Sequence, residues 1–193
     1  MIIRDADPAA DAAACAIIYA PFVRDTAVSF EESAPGADVM AERMRTTLRT
    51  HPWVVAEVHN VVAGYAYASS HRVRAAYRWA ADVGIYVGDT YRGQGVGREL
   101  YEVLLDLLAR QGFHTVCAGI TLPNPASVAL HETVGFTSGG IYRQIGFKAG
   151  AWHDVSWWQR RLSDPANEPP ALPGPPLRVA GNGGLRMGRQ PHQ

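Results

Sequence analysis

The sequence predicts a mixed α/β sheet carried by a single domain. Two observations point there. Several strand-like stretches come first, followed by a strand, a glycine-rich loop, a helix, a strand and a further helix, the alternation of an α/β sheet. The longest helical pattern, residues 94–111, carries Val96, Leu100, Val103, Leu104, Leu107 and Leu108 on one face, which is the stripe of a helix packed on a sheet. The composition also changes near Ser163. From there Pro and Gly crowd the chain and aromatics vanish, so residues 163–193 read as a flexible tail and residues 1–162 as the domain.

The elements follow in order. MIIRDA is a short first strand. Asp7-Pro8 opens a helix running to about Tyr19, since Asp suits the N-cap and Pro the first turn. TAVSFEE (26–32) reads as extended. Residues 36–50 form a second helix. Residues 53–58 and 61–71 are strands joined by a tight turn at His59-Asn60. Residues 80–88 form the next strand, and 94–111 the long helix, ended by Gln111-Gly112. Residues 115–122 are a strand, and Pro125–Val134 a helix stopped by Gly135. Residues 139–147 and 153–162 are the last strands.

Bulk properties exclude several roles. Of 193 residues, 47% are apolar, enough for a core. The 18 basic residues balance 18 acidic ones, which disfavours nucleic acid as a partner. No apolar run approaches the roughly 20 residues of a membrane span. The N-terminus carries Asp5, Asp7 and Asp11 where a signal peptide would be basic. Cys15 and Cys117 lie far apart in apolar surroundings and read as free thiols of a soluble, cytoplasmic protein. The seven histidines show no metal-ligand spacing, so no metal is expected.

The stretch RGQGVGREL (92–100) places Gly93, Gly95 and Gly97 at the start of the long helix, although each glycine weakens a helix by roughly 1 kcal/mol. A helix N-terminus offers unpaired N–H groups and the positive end of its dipole. Glycines let an anion approach them. The loop therefore reads as an anion cradle, with Arg92 and Arg98 adding charge, or as a plain glycine-rich turn. It is neither a P-loop, which needs GxxxxGK[ST], nor a dinucleotide fingerprint, because the spacing is GxGxG.

Arg92-Gly93-Gln94-Gly95-Val96-Gly97 resembles the Q/R-x-x-G-x-G/A signature of GNAT-superfamily N-acetyltransferases. AAYRWAADVGIYV before it, ITLPNPASVALHETVGF after it and GFKAGAWHDVSWWQRRL near the end resemble the phosphinothricin and methionine sulfoximine (sulfone) acetyltransferase branch. The resemblance covers about residues 1–162. It implies the GNAT fold, a mostly antiparallel sheet with helices on both faces and a splayed strand pair that binds coenzyme A. It also implies acetyl-CoA as co-substrate, a small amino-acid-like acceptor and a homodimer built from the C-terminal strands.

The residues can be weighed against that chemistry. An ammonium group must lose its proton before it attacks a thioester, so a base is needed within reach, directly or through water. Asp82, at the start of the apolar strand that feeds the loop, is the candidate; the family usually has Glu there. By resemblance, Ile85, Tyr86 and Val87 bond the pantetheine arm, and the Val87 N–H stabilises the oxyanion. Gly93, Gln94, Gly95, Val96, Gly97 and Arg98 then hold the pyrophosphate together with Arg92. Asn124 is followed seven residues later by His131, where many family members have Tyr to protonate the leaving thiolate. Ser127 shares a helix face with His131. His131 is either a proton donor to sulfur, an aid to deprotonation, or a structural histidine. Arg72, Arg74 and Tyr77 match substrate-binding positions, Arg72 standing where a relative has Lys. Phe30, Thr121 and Val155 match pocket-lining positions. Acceptors other than these amino acids, and a coenzyme A binding module without catalysis, remain as alternative readings.

Overall fold

Seven strands hydrogen-bond in the order β1-β2-β3-β4-β5-β7-β6 in the computed structural model, which describes residues 1–163 and 171–179. They are β1 (Ile2–Asp5), β2 (Trp53–Val58), β3 (Val61–Ser70), β4 (Ala80–Val87), β5 (Thr115–Thr121), β6 (Thr137–Lys148) and β7 (Ala151–Arg161). All neighbours are antiparallel except β4 and β5. The four helices are α1 (Ala12–Arg24), α2 (Ala37–Thr47), α3 (Val96–Gln111) and α4 (Pro125–Thr133).

Alternation along the strands splits the core in two. Val54, Ala66, Ala68, Val83, Val116 and Ile120 face α3, and meet its buried stripe of Leu100, Leu104, Leu107 and Leu108. Each such leucine contributes about 1.5–3 kcal/mol by burial. Trp53, Val55 and Tyr65 point the other way, onto Cys15, Tyr19 and Val23 of α1 and Met40 and Met44 of α2. Helices therefore cover both faces, and adjacent residues on β4 serve different faces while residues two apart share one.

β4 and β5 pair over only three positions, Ala80↔Thr115, Ala81↔Val116 and Asp82↔Cys117. Beyond Asp82, β4 continues to Val87 with β3 alone beside it. This is the splayed pair implied above, and it opens a gap at the centre of the sheet.

Local chemistry explains most boundaries. His59 and Asn60 adopt φ of 49° and 64°, the left-handed values a two-residue hairpin needs. Gly112 (φ 103°) ends α3, with the N–H of Phe113 returning to the C=O of Leu108. Two boundaries differ from expectation. The Asp7 carboxylate accepts the N–H of Ala9 at 2.8 Å, so Asp-Pro does start a turn, but regular helix begins only at Ala12. It then runs through Pro21 to Arg24, because an internal proline removes one hydrogen bond and the flanking packing outweighs that loss. TAVSFEE forms no strand; it bends around Tyr19, whose hydroxyl lies 2.6 Å from Ser29 Oγ and donates to Glu31 at 2.8 Å.

The expected flexible tail needs correction over residues 171–179. Ala171 C=O accepts from Trp79 Nε1 at 2.9 Å, and Gly174 exchanges hydrogen bonds with Gln111 through its N–H (2.8 Å) and its C=O (2.9 Å). Leu177 and Val179 pack on the α3-side core, and the Val179 N–H reaches Asp5. Two apolar side chains and four backbone anchors offset the ordering entropy that composition alone seemed to forbid. The rest of that predicted tail, 164–170 and 180–193, lies outside the described residues.

Candidate active site

The first component is a carboxylate–imidazole pair beside the gap. Asp82 sits at the last paired position of β4, on the α1/α2 side of the sheet together with Gly84 and Tyr86. Its Oδ1 lies 2.6 Å from Nδ1 of His71, which ends the β3 hairpin arm. Burial raises the Asp82 carboxyl above its ordinary pKa, while the His71 hydrogen bond and Arg72 pull it back. The result is a carboxylate made more basic by its surroundings and oriented by a neighbouring ring. Tyr77 stands edge-on to His71 at 5.5 Å between ring centres, and Trp157 does so at 6.4 Å. His71 went unnoticed in the sequence. Its signal is register: Ser69 pairs with Asp82, so the next residues past the strand end curl over the carboxylate.

The second component is the gap. The Gly88 N–H bonds Ala63 C=O on β3 at 2.9 Å. Backbone groups alternate along an antiparallel strand, so Tyr86 also turns its N–H toward β3, and Ile85 and Val87 turn theirs into the gap. Those two are free to bond an extended ligand lying between the strands. Tyr86 is a correction: its backbone serves β3 and its ring packs edge-on to Tyr19 (4.7 Å) and Phe22 (5.1 Å).

The third component is the loop before α3. Gly93 (φ 72°) and Gly95 (φ 85°) are left-handed, and a Cβ at either would meet no protein atom within 4 Å. Open space in front of a strained turn is what an anion cradle requires. The first helical hydrogen bond runs from Glu99 N–H to Gly95 C=O, so the N–H groups of Val96, Gly97 and Arg98 precede the ladder. Gln94 braces the loop by donating to Thr90 C=O at 2.7 Å. Gly97 also has a packing role. Its φ is ordinary, and a Cβ there would lie 3.1 Å from Leu130, so this glycine lets α4 approach α3. Arg92 and Arg98 sit at the rim, paired with Asp89 and Glu102 at 2.7 Å each. Both pairs are exposed and exchangeable.

The unit β5–α4 supplies the far wall. Asn124 caps α4, its side chain accepting the Ser127 N–H at 3.1 Å. His131, the candidate proton donor, lies inside the α3–α4 packing. It is 3% exposed, its Nδ1 lies 2.7 Å from Ser127 C=O, and its Nε2 lies 3.0 Å from the Tyr101 hydroxyl. Both nitrogens are engaged inside the α3–α4 packing, with Phe136 and Tyr101 rings about it.

Burial lowers the pKa of His131, and of His51, below the ordinary 6.5. The unfolded chain therefore binds more protons than the folded one below about pH 6.5. Stability present above that pH is lost as pH falls toward the depressed folded values. Thermal melting at pH 7.5 and 5.5 should show a lower Tm in acid, and His131→Gln should reduce that difference. An unchanged difference in the variant would leave His131 out of the effect.

Acceptor-side residues gather on the same sheet face as Asp82. Thr121 pairs with Val155 across β5–β7, and Thr121 Oγ1 lies 3.5 Å from Val28 C=O. Phe30 lies 41% exposed over Gly146, where any Cβ would collide with its ring. Lys148, not anticipated from sequence, fixes this loop by donating to Val23 and Ser29 carbonyls at 2.6 Å each. Arg72, Arg74 and Tyr77 lie on the exposed loop between β3 and β4. Arg72 and Tyr77 are drawn to the Asp82–His71 pair; Arg74 stands free at the surface, its C=O accepting from Tyr77.

Comparison with known proteins fits this geometry. The Acetyltransferase (GNAT) family pattern matches residues 19–136, from α1 through the end of α4. The chain belongs to the GNAT acetyltransferase family. This GNAT chain is 39% identical to a phosphinothricin N-acetyltransferase of Streptomyces viridochromogenes, over 89% of this chain and 93% of that one. It is 35% identical to an L-methionine sulfoximine/L-methionine sulfone acetyltransferase of Salmonella typhimurium, over 86% and 97%. A GNAT superfamily phosphinothricin acetyltransferase from Sinorhizobium meliloti, solved with acetyl-CoA, superposes with TM-score 0.82 at 36% identity, covering 87% of this chain and 91% of that one. The chain is thus an acetyl-CoA-dependent N-acetyltransferase, and its β4 edge beyond Asp82 and its glycine turn are compatible with that co-substrate. Among the described residues no helix is long and apolar enough to cross a membrane.

Proposed function

We propose that this enzyme acetylates the α-amino group of phosphinothricin-like amino acids, with phosphinothricin, methionine sulfoximine and methionine sulfone as acceptors. The Asp82–His71 pair carries the reading, because it puts a half-buried carboxylate of raised basicity at the point where β4 leaves β5. Asp82 takes the ammonium proton, through a water where the short Asp side chain falls short. The amine then attacks the thioester carbonyl held along the β4 edge, where the Val87 N–H faces the developing oxyanion. Ile85 bonds the pantetheine arm. Gly93, Gln94, Gly95 and the N–H groups of Val96 through Arg98 receive the pyrophosphate, and Asn124 and Ser127 shape the α4 side of the channel. With His131 engaged internally, the thiolate takes its proton from water.

Arg72 and Arg74 suit the acceptor's two acidic or oxygen-rich ends, Arg72 offering a fork of donors. Tyr77, Phe30, Thr121 and Val155 enclose its aliphatic middle. A cationic peptide or lysine would meet those arginines as like charges. The test is thiol release from acetyl-CoA with the three acceptors against a peptide N-terminus and free lysine. Turnover highest with the first three supports the reading; equal or higher turnover with peptide or lysine removes it.

The same reading takes the enzyme to the cytoplasm as a homodimer. Cys15 and Cys117 are free thiols. The outer strand β6 exposes Ile141, Tyr142, Ile145 and Phe147, and β7 exposes Trp152 beside Phe147, each more than 40% accessible. An edge strand that apolar requires cover, and a second copy supplies it. Sedimentation equilibrium should give twice the chain mass, and Phe147→Glu should shift it to monomer; a wild-type monomer would overturn the assignment.

A further inference from the structure

Cys117 takes no part in acetyl transfer as described above, yet it lies beside the base. It is the residue of β5 directly paired with Asp82. Its Sγ, a ring nitrogen of His71 and an Asp82 carboxylate oxygen all fall within 4.8 Å of one another, and all three residues are partly buried. Three different strands or strand ends contribute them, so no spacing in the sequence announces the group.

We propose that His71, Asp82 and Cys117 form an inhibitory binding site for a thiophilic divalent cation, zinc above all. The donor set is one imidazole nitrogen, one carboxylate oxygen and one thiolate. That mixture suits zinc and excludes magnesium or calcium, which take oxygen ligands. Zinc–ligand bonds of about 2.0–2.3 Å put tetrahedral donors about 3.4–3.6 Å apart. The 4.8 Å group needs to close by only about an ångström, and the 2.6 Å His71–Asp82 hydrogen bond to open by a similar amount. The fourth position faces the acceptor side and is left to water.

Binding is a ligand exchange without redox change. The Cys117 thiol loses its proton to solvent, the sulfur lone pair bonds the metal, and His71 binds through Nδ1 with its proton carried on Nε2. Burial and the Asp82 charge hold the Cys117 pKa up, so the metal must displace that proton. The Asp82 and thiolate charges then balance the cation. Inhibition, unlike binding, rests on the reading of Asp82 as the base, because a coordinated carboxylate no longer accepts a proton.

Cobalt(II) is the probe for binding. Added to the full-length enzyme without acceptor, one equivalent should give a thiolate-to-metal charge-transfer band and the visible absorption of a tetrahedral ion. Cys117→Ser should lose that band and keep wild-type turnover, since Cys117 is outside the transfer machinery. Zinc should inhibit the wild type, and Cys117→Ser should need at least ~10–100-fold more of it. Cobalt bound without the charge-transfer band, or no cobalt bound, would overturn the site. A band present with turnover unaffected by zinc would keep the site and overturn Asp82 as the base.

Discussion

Asp82→Asn lowers kcat/KM for the amino-acid acceptor by about 10²–10⁴-fold, the range lost with a general base. The Asn side chain keeps the shape and a hydrogen bond to His71, so folding and acetyl-CoA binding stay near wild type. Titration calorimetry with coenzyme A, run beside the kinetics, separates lost chemistry from lost structure. In the wild type the rate should rise with pH through a midpoint above that of a free aspartate, because burial lifts the Asp82 pKa. Below that midpoint the carboxylate carries a proton and accepts none. His71→Gln should fall between wild type and Asp82→Asn and shift the midpoint upward, since the His71 hydrogen bond pulls the Asp82 pKa down. Full activity in Asp82→Asn would remove the assignment.

This prediction rests on a residue the sequence marked and on a partner it concealed. Asp82 stood out because a carboxylate interrupts an apolar strand. His71 did not, because only the β3–β4 register brings it within 2.6 Å. Chain-local features were legible in the same way: the His59-Asn60 hairpin, the α3 stripe and the Gly112 and Gly135 stops each depend on residues within one turn. What failed depended on distant contacts. The helix after Asp7 passes Pro21 because Tyr19 and Val23 are buried against α2 and the sheet. Residues 171–179 are held by Trp79, Gln111 and Asp5, some 60 to 170 positions away. The contact of His131 with Tyr101, on another helix, is equally invisible in the sequence.

Two glycines of one motif should give opposite phenotypes. Gly95→Ala places a methyl in front of the α3 N-terminus, where no protein atom lies within 4 Å. The variant holds a left-handed φ of 85°, costing about 1–2 kcal/mol. If the loop relaxes to relieve that strain, the N–H groups turn away from the pyrophosphate. If it does not, the methyl stands in the pyrophosphate's path. Either way acetyl-CoA affinity falls by about tenfold or more, equivalent to about 1.4 kcal/mol, while kcat at saturation changes far less. Gly97→Ala acts on packing instead. Its methyl meets Leu130 at 3.1 Å, so α4 must shift by a few tenths of an ångström or Leu130 must change rotamer. The expected result is a lower Tm with a smaller change in coenzyme A dissociation constant than Gly95→Ala shows. Calorimetry and thermal melting on the two variants check this directly. Equal losses of affinity would mean that the Gly97 Cα, like that of Gly95, faces the pyrophosphate; unchanged affinity in Gly95→Ala would take the pyrophosphate away from this turn.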